Sequence, residues 1–271
     1  MLNVGLLGAG RIGKVHARSI TSHPASRLVA VSDLLKENAQ KLASEYGADV
    51  RSSDKMIAGP SIDAILVATS TDTHSDMIEA ATAAGKAVLC EKPVNLNLER
   101  SRACLARALT TRKPIMIGFN RRFDPHFRTL KAAVDNDEIG KPEPLPITSF
   151  NPASPPISYV KTSGSLFRDM MIHDFDMANF LMRETPVTIV ATGSVIVVPE
   201  IRSTGDIGTA VVTMTYADGR ITVIKNLRRA VYGCDQRVEI FGSKGLLQAH
   251  NVLENTVVKS TAIGVSSAKP T

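Results

Sequence analysis

The chain has 271 residues, 44% hydrophobic and 21% charged, so two ordinary domains with buried cores are within its means. Its formal charge of +6 raises the question of nucleic acid, but the basic residues are dispersed, aromatics are 4% and tryptophan is absent, which argues against a base-stacking surface. No apolar stretch approaches the roughly 20 residues of a membrane helix, and three widely spaced cysteines (Cys90, Cys104, Cys234) without a C-x-x-C fit reduced thiols and no structural metal, as in a cytoplasmic protein without a leader.

Leu2 to Leu7 is a short apolar run suited to a buried parallel strand. Gly8-Ala9-Gly10-Arg11-Ile12-Gly13 follows at once, and Lys14 to Thr21 has helix-forming composition. The first glycine allows a tight turn, the second lets a pyrophosphate approach the backbone, and the third lets helix and strand pack closely. The helix start, with Arg11 and Ile12, then presents N–H groups to phosphate. Leu28 to Ser32 predicts a second strand ending at Asp33, 20 residues beyond Gly13. A carboxylate there can accept the ribose hydroxyls and repels a 2′-phosphate, so NAD is expected over NADP. A helix N-cap is the plainer role for Asp33.

The alternation continues through a strand at Ile62 to Val67, a polar loop from Ala68 to His74 that includes Thr69, and a helix to about Ala84. Ala87 to Cys90 predicts the next strand, Leu98 to Thr111 a helix and Pro114 to Ile117 a further strand. Strands separated by helices of this length predict a doubly wound parallel sheet over residues 1–119, an α/β Rossmann domain. His74 is expected to start its helix near the cofactor. Glu91-Lys92-Pro93 closes a strand, where such folds bind ligands, and Pro93 makes the link a rigid turn, cis or trans. Lys92 is thus placed to face cofactor and substrate.

After Gly118-Phe119-Asn120 the texture changes. Asp124 to Asp135 predicts a helix, Lys141 to Pro156 an irregular Pro-rich passage, and Gly164 to Met177 another helix. Val187 to Val198, Thr209 to Tyr216, Arg220 to Leu227 and Gln236 to Phe241 read as strands, with Asp218-Gly219 a hairpin signal. Residues 120–271 are therefore expected to form an α+β domain with a largely antiparallel sheet. Asp169 and His173, four apart, share a helical face. A carboxylate beside an imidazole is equipment for removing a hydroxyl proton, and equally an ordinary solvated pair.

Gly8-x-Gly10-x-x-Gly13, Glu91-Lys92-Pro93, Gly118 to Asp124 and Asp169-x-x-x-His173-Asp174 together resemble the glucose–fructose oxidoreductase / inositol dehydrogenase family over essentially the whole chain. Ile172 to Met177 and Tyr232-Gly233-x-Asp235-Gln236-Arg237 are most similar to its bacterial inositol 2-dehydrogenases. The resemblance implies NAD-dependent oxidation of myo-inositol to 2-keto-myo-inositol. It implies Lys92, Asp169 and His173 as the catalytic trio, and a substrate pocket that includes Arg121, Asn151 and Tyr232. It implies a cofactor site with Thr69, His74, Glu91 and Lys92 beside the glycine turn, and a homo-oligomer, dimer or tetramer, packed through the second sheet. Phe150-Asn151 stands where the family has Arg-Asp, Ser165 where it has glycine, and Gly208 and Cys234 where it has an acid and an aromatic. The chain ends at Thr271, where further helices are expected in relatives. Another ring sugar or polyol, use of NADP, or an NAD-binding regulator without catalysis are the alternatives.

Overall fold

The computed structural model describes residues 1–267. The chain divides into two compact units, Met1–Phe119 and the residues from Asn120 onward. Among the described residues no helix is long and apolar enough to cross a membrane.

The first unit runs β1 (Leu2–Leu7), α1 (Arg11–Ser22), β2 (Ser26–Ser32), α2 (Lys36–Tyr46), β3 (Asp49–Val50), α3 (Ser53–Ala58), β4 (Ala64–Val67), α4 (Thr71–Ala83), β5 (Ala87–Cys90), α5 (Leu98–Thr110) and β6 (Ile115–Ile117). All six strands are parallel, in the order β3-β2-β1-β4-β5-β6. Ala17 and Ile20 of α1 and Ala39 and Leu42 of α2 join one buried cluster. Met56 of α3, Ile78 and Ala81 of α4 and Cys104 and Ala108 of α5 join another. Each helix thus buries a stripe spaced three or four residues apart, and the sheet is covered on both faces, which is why its central strands β1, β4 and β5 are mostly apolar. The strand order reverses between β1 and β4, and the crevice at their carboxyl ends is the ligand position of such a sheet. The polar segment expected as a loop from Ala68 to His74 is shorter than its composition suggests, since α4 starts at Thr71 and takes in Thr71, Thr73 and His74.

The second unit comprises α6 (Pro125–Asp135), β7 (Pro144–Phe150), α7 (Ile157–Val160), α8 (Ile172–Met182), β8 (Thr188–Ser194), β9 (Thr209–Thr215), β10 (Ile221–Leu227), β11 (Asp235–Gly242), β12 (Gly245–Ala249), β13 (Val258–Thr261) and β14 (Gly264–Ser267). Its main sheet has the order β12-β11-β7-β10-β9-β8, antiparallel except for the parallel pair β7–β10. Helices α6 and α8 pack on one face, where Leu130, Met177 and Leu181 meet Leu145, Ile147, Ile224, Val238 and Ile240.

Two departures from the sequence reading have local causes. The Pro-rich passage contains a central strand, β7. It tolerates Pro144 and Pro146 because its ladder with β11 covers only Ile147–Phe150. The helix expected from Gly164 cannot start there, because Gly164 and Ser165 are left-handed (φ 83° and 82°). A π-helical turn, Phe167–Met171, precedes α8 instead. Ser165 therefore holds a backbone conformation that glycine adopts without strain.

Candidate active site

In the first unit the three glycines of the turn have three different surroundings. Gly8 has φ +99°, and a Cβ there would stand 2.9 Å from the Thr69 nitrogen and overlap the Ala68 carbonyl. A Cβ at Gly13 would overlap the Gly8 carbonyl oxygen, so strand and helix approach through it. At Gly10 nothing lies within 4 Å of the Cβ position, so the turn is open on its outer side. No side chain caps α1. Exposed Arg11, half-buried Ile12 and buried Gly13 thus begin a helix whose amide groups and dipole favour an anion. Asp33, at the end of β2, accepts the Ala9 N–H (2.6 Å) and the Leu35 N–H (2.8 Å). A carboxylate has about four acceptor positions, so two remain for ribose hydroxyls. These residues fit NAD.

Glu91, Lys92 and cis Pro93 leave the carboxyl end of β5. His16 of α1 bonds Glu91 Oε1 through Nε2 at 2.6 Å, and Lys92 N–H reaches Oε2 at 3.3 Å. Burial pushes the Glu91 carboxyl up, but the His16 bond and charge and the Lys92 amide and ammonium outweigh it, leaving it below the usual carboxylate range. A carboxyl held below its unfolded value stabilises the fold above that value, about pH 4.3, and loses this as pH falls through the lower folded value. The difference in urea midpoint between wild type and Glu91→Gln is therefore expected to shrink as pH falls below about 4.3. A difference that does not change with pH would show that the pair does not act through the carboxylate charge.

Thr69 follows β4 and its hydroxyl shares a 2.7 Å bond with that of Thr73. His74, expected at the cofactor, is 1% exposed. Its Nδ1 faces the Pro93 carbonyl at 2.8 Å and its Nε2 the Thr69 carbonyl at 3.1 Å. The ring ties the two loops at the sheet's carboxyl edge from beneath, and in this structure it offers no surface to a ligand. Burial pushes the Cys90 and Cys104 thiols up, so both stay protonated at neutral pH.

In the second unit the helix-facing side of the sheet changes from apolar to polar along its strands. On β7 the row Leu145, Ile147, Ser149 continues to Asn151, and on β10 Thr222, Ile224, Asn226 continues to Arg228. On β11 Gln236 precedes Val238 and Ile240 on the same side. The register sets Gln236, Ser149 and Asn226 abreast on three neighbouring strands. Across this polar row lies α8. Asp174, fully buried, accepts from Asn226 Nδ2 (2.8 Å) and from Arg121, whose other arm donates to Ser149 Oγ (2.8 Å). Burial pushes the Asp174 carboxyl up, against the pull of Arg121 and these hydrogen bonds. Arg122 grips Asp176 through two bonds (2.8 and 2.6 Å) and lies 5.0 Å over the Phe180 ring. The adjacent arginines thus dock the Asn120–Phe123 turn against α8.

A cavity of about 460 Å³ opens beside this row, lined by Asn120, Arg121, Phe123, Asp124, Phe127, Asn151, Asp169, Met170, His173 and Gln236. Amides, a guanidinium, carboxylates and an imidazole offer both donors and acceptors, which matches a small ligand rich in hydroxyls. Asp169, in the π-helical turn, accepts from the Tyr159 hydroxyl (2.8 Å) and from Arg228 (3.4 Å).

Of the residues expected at a substrate, Arg121, Asn151, Asp169 and His173 line this cavity together. Tyr232 does not: it is 45% exposed, and its hydroxyl donates to Asp235 at 2.7 Å, which together with burial raises the phenol. Gln236, Asn120 and the carboxylate partners Tyr159 and Arg228 were not foreseen. Gln236 had a signal, as the polar first member of the alternating row Gln236, Val238, Ile240.

A two-unit chain with a dinucleotide turn on a parallel sheet and a polar cavity holding histidine and carboxylate belongs to the nicotinamide-dependent oxidoreductases. The profile of the oxidoreductase family with an NAD-binding Rossmann fold matches residues 2–119, and that of the GFO/IDH/MocA C-terminal domain matches residues 127–248. The chain belongs to the GFO/IDH/MocA family. It is 49% identical to the inositol 2-dehydrogenase of Rhizobium meliloti over 91% of its own length and 75% of the relative's. It is 44% identical to the myo-inositol 2-dehydrogenase of Thermotoga maritima over 95% of its length and 78% of the relative's. The crystal structure of a myo-inositol dehydrogenase from Corynebacterium glutamicum superimposes with a TM-score of 0.95 at 42% identity, covering all of this chain and 81% of the other.

Proposed function

We propose that this protein oxidises a ring hydroxyl of a polyol with NAD⁺, its first substrate being myo-inositol and its product 2-keto-myo-inositol. The observation that carries the reading is the identity of 44–49% to inositol 2-dehydrogenases over more than nine-tenths of the chain. The hydroxyl-matching cavity with Asp169 and His173 supports it.

In this reading Gly10 to Gly13 hold the pyrophosphate and Asp33 the adenosine ribose, with Thr69, Glu91 and Lys92 completing the cofactor site and His74 supporting it. Bound NAD⁺ supplies the acceptor for the hydride that leaves the substrate carbon. His173 takes the proton from the hydroxyl on that carbon as the carbonyl forms. Lys92 donates a hydrogen bond to the same oxygen and stabilises its growing negative charge. Asp169 orients the ring through a hydroxyl and steadies the charged imidazole, while Arg121, Asn151 and Gln236 hold the remaining hydroxyls. We propose a cytoplasmic location and a homo-oligomer, dimer or tetramer. The wholly exposed strand β8 and outward apolar residues such as Val211, Ile221 and Leu246 support the association.

The test is NADH formation by absorbance with the purified protein, NAD⁺ and myo-inositol, beside NADP⁺ and a panel of ring polyols including scyllo-inositol. Turnover with NAD⁺ and myo-inositol, at least tenfold above NADP⁺, is the expected result, since a 2′-phosphate meets the Asp33 carboxylate (about 1.4 kcal/mol is a factor of ten). Turnover on another polyol alone would transfer the reading to that substrate. NAD⁺ binding without turnover on any polyol would overturn it in favour of a regulator.

A further inference from the structure

Arg228 is the bulkiest fully enclosed side chain among the described residues, with 0% exposure, and the proposed chemistry does not use it. It follows β10 directly on the helix-facing row, so alternation along the strand turns it inward. A guanidinium in that place is costly unless its charge is answered. Two carboxylates answer it. Nη2 donates to Asp206 at 3.0 Å and Nη1 to Asp169 at 3.4 Å. Asp206 is itself buried and accepts, through its other oxygen, the N–H of Leu166 (3.0 Å), at the entrance to the π-helical turn. The backbone joins the same places, since Arg228 N–H donates to the Gly208 carbonyl at 2.9 Å. Asp169 is also held by the Tyr159 hydroxyl, on the oxygen that Arg228 leaves.

The geometry points to Arg228, braced by Asp206, as a positioning residue for the dehydrogenation: it holds the Asp169 carboxylate in place at the cavity wall. The inference rests on the reading above, in which Asp169 serves the reacting polyol. Asp169 sits in a π-helical turn entered from two left-handed residues, so its place is not fixed by a continuous α-helix. One arm of Arg228 acts on the entrance of that turn through Asp206, and the other on its functional side chain. A displacement of about 1 Å at such a group can cost on the order of 100-fold in rate.

The rival explanation is an ion pair that only holds the fold. Replacing a buried pair by apolar residues of similar size commonly preserves folding, and this separates the two. In steady-state kinetics on the full chain, with the polyol that wild type turns over, Arg228→Met/Asp206→Leu is expected to unfold cooperatively and bind NAD⁺ like wild type. Its kcat is expected to fall about 100-fold with KM changed less than about threefold. Arg228→Lys keeps a cation for Asp206 but not the second arm, and is expected to lose about tenfold in kcat. A folded double variant with kcat within twofold of wild type would overturn the inference. If that variant does not unfold cooperatively, Arg228→Lys decides: an unchanged kcat overturns the inference, and a tenfold loss with NAD⁺ binding intact supports it. Asp169→Asn is measured alongside. Full turnover by that variant would instead sink the reading of Asp169 on which the inference rests.

Discussion

Substitution of His173 by alanine is expected to lower kcat about 1,000-fold while the dissociation constant for NAD⁺ stays within about twofold of wild type. General base catalysis by a positioned side chain contributes typically 10²–10⁴-fold, and a factor of 1,000 corresponds to about 4 kcal/mol in the barrier. His173 stands in the first turn of α8 and lines the polar cavity, whereas the glycine turn, Asp33 and Thr69 belong to the other unit. Losing the imidazole therefore removes the proton acceptor and leaves in place Gly10 to Gly13 and Asp33, to which the pyrophosphate and the adenosine ribose are assigned. Substrate KM is expected to rise only a fewfold, because Arg121, Asn151 and Gln236 remain for the other hydroxyls. Parallel loss of NAD⁺ affinity would show that His173 supports the fold or the cofactor instead. Stopped-flow turnover and fluorescence titration of NAD⁺ on the same preparation decide between them.

That Asp169 and His173 come together at one cavity was legible in the sequence because it depends on a short motif, and so was the first unit. Gly8, Gly10 and Gly13 serve the crossing of one strand and the helix that follows it, a geometry closed within 13 residues. What escaped the sequence is what needs register. Gln236 and Asn226 come abreast of Ser149 only because β7 lies between β11 and β10, strands some 70 to 90 residues further along the chain. Nothing near Ser149 in sequence announces either partner. The strand β7 was hidden for a related reason. Its prolines argue against a central strand until it is known that the ladder with β11 stops short of them. Local competition explains other differences. Tyr232 finds a carboxylate three residues away and bonds it, a partner that a motif comparison does not weigh. Gly164 and Ser165, left-handed, delay the start of what composition alone reads as one α-helix, and its first turn, which carries Asp169, is π-helical.

Alanine at Gly10 and alanine at Gly13 are expected to fail in different ways, and the contrast tests where the pyrophosphate lies. At Gly13 the new Cβ overlaps the Gly8 carbonyl oxygen, which is backbone and cannot swing aside. The helix must move away from β1. Overpacking of this kind costs about 1–3 kcal/mol, so Tm is expected to fall by several degrees. The amide groups at the start of α1 move with the helix, so NAD⁺ affinity is expected to fall on the order of 50-fold (about 2.3 kcal/mol). At Gly10 the Cβ meets nothing within 4 Å, and the residue has φ −71°, which any side chain accepts. Gly10→Ala is therefore expected to fold with an unchanged Tm. Its methyl group occupies the space a pyrophosphate needs for close approach, so affinity for NAD⁺ is expected to fall by at least tenfold. Thermal unfolding without cofactor, paired with titration of NAD⁺, separates the two effects. If Gly10→Ala binds NAD⁺ as tightly as wild type, the open side of the turn is not where the phosphates lie. If Gly13→Ala keeps both stability and affinity, the close packing of α1 on β1 is not what the third glycine provides.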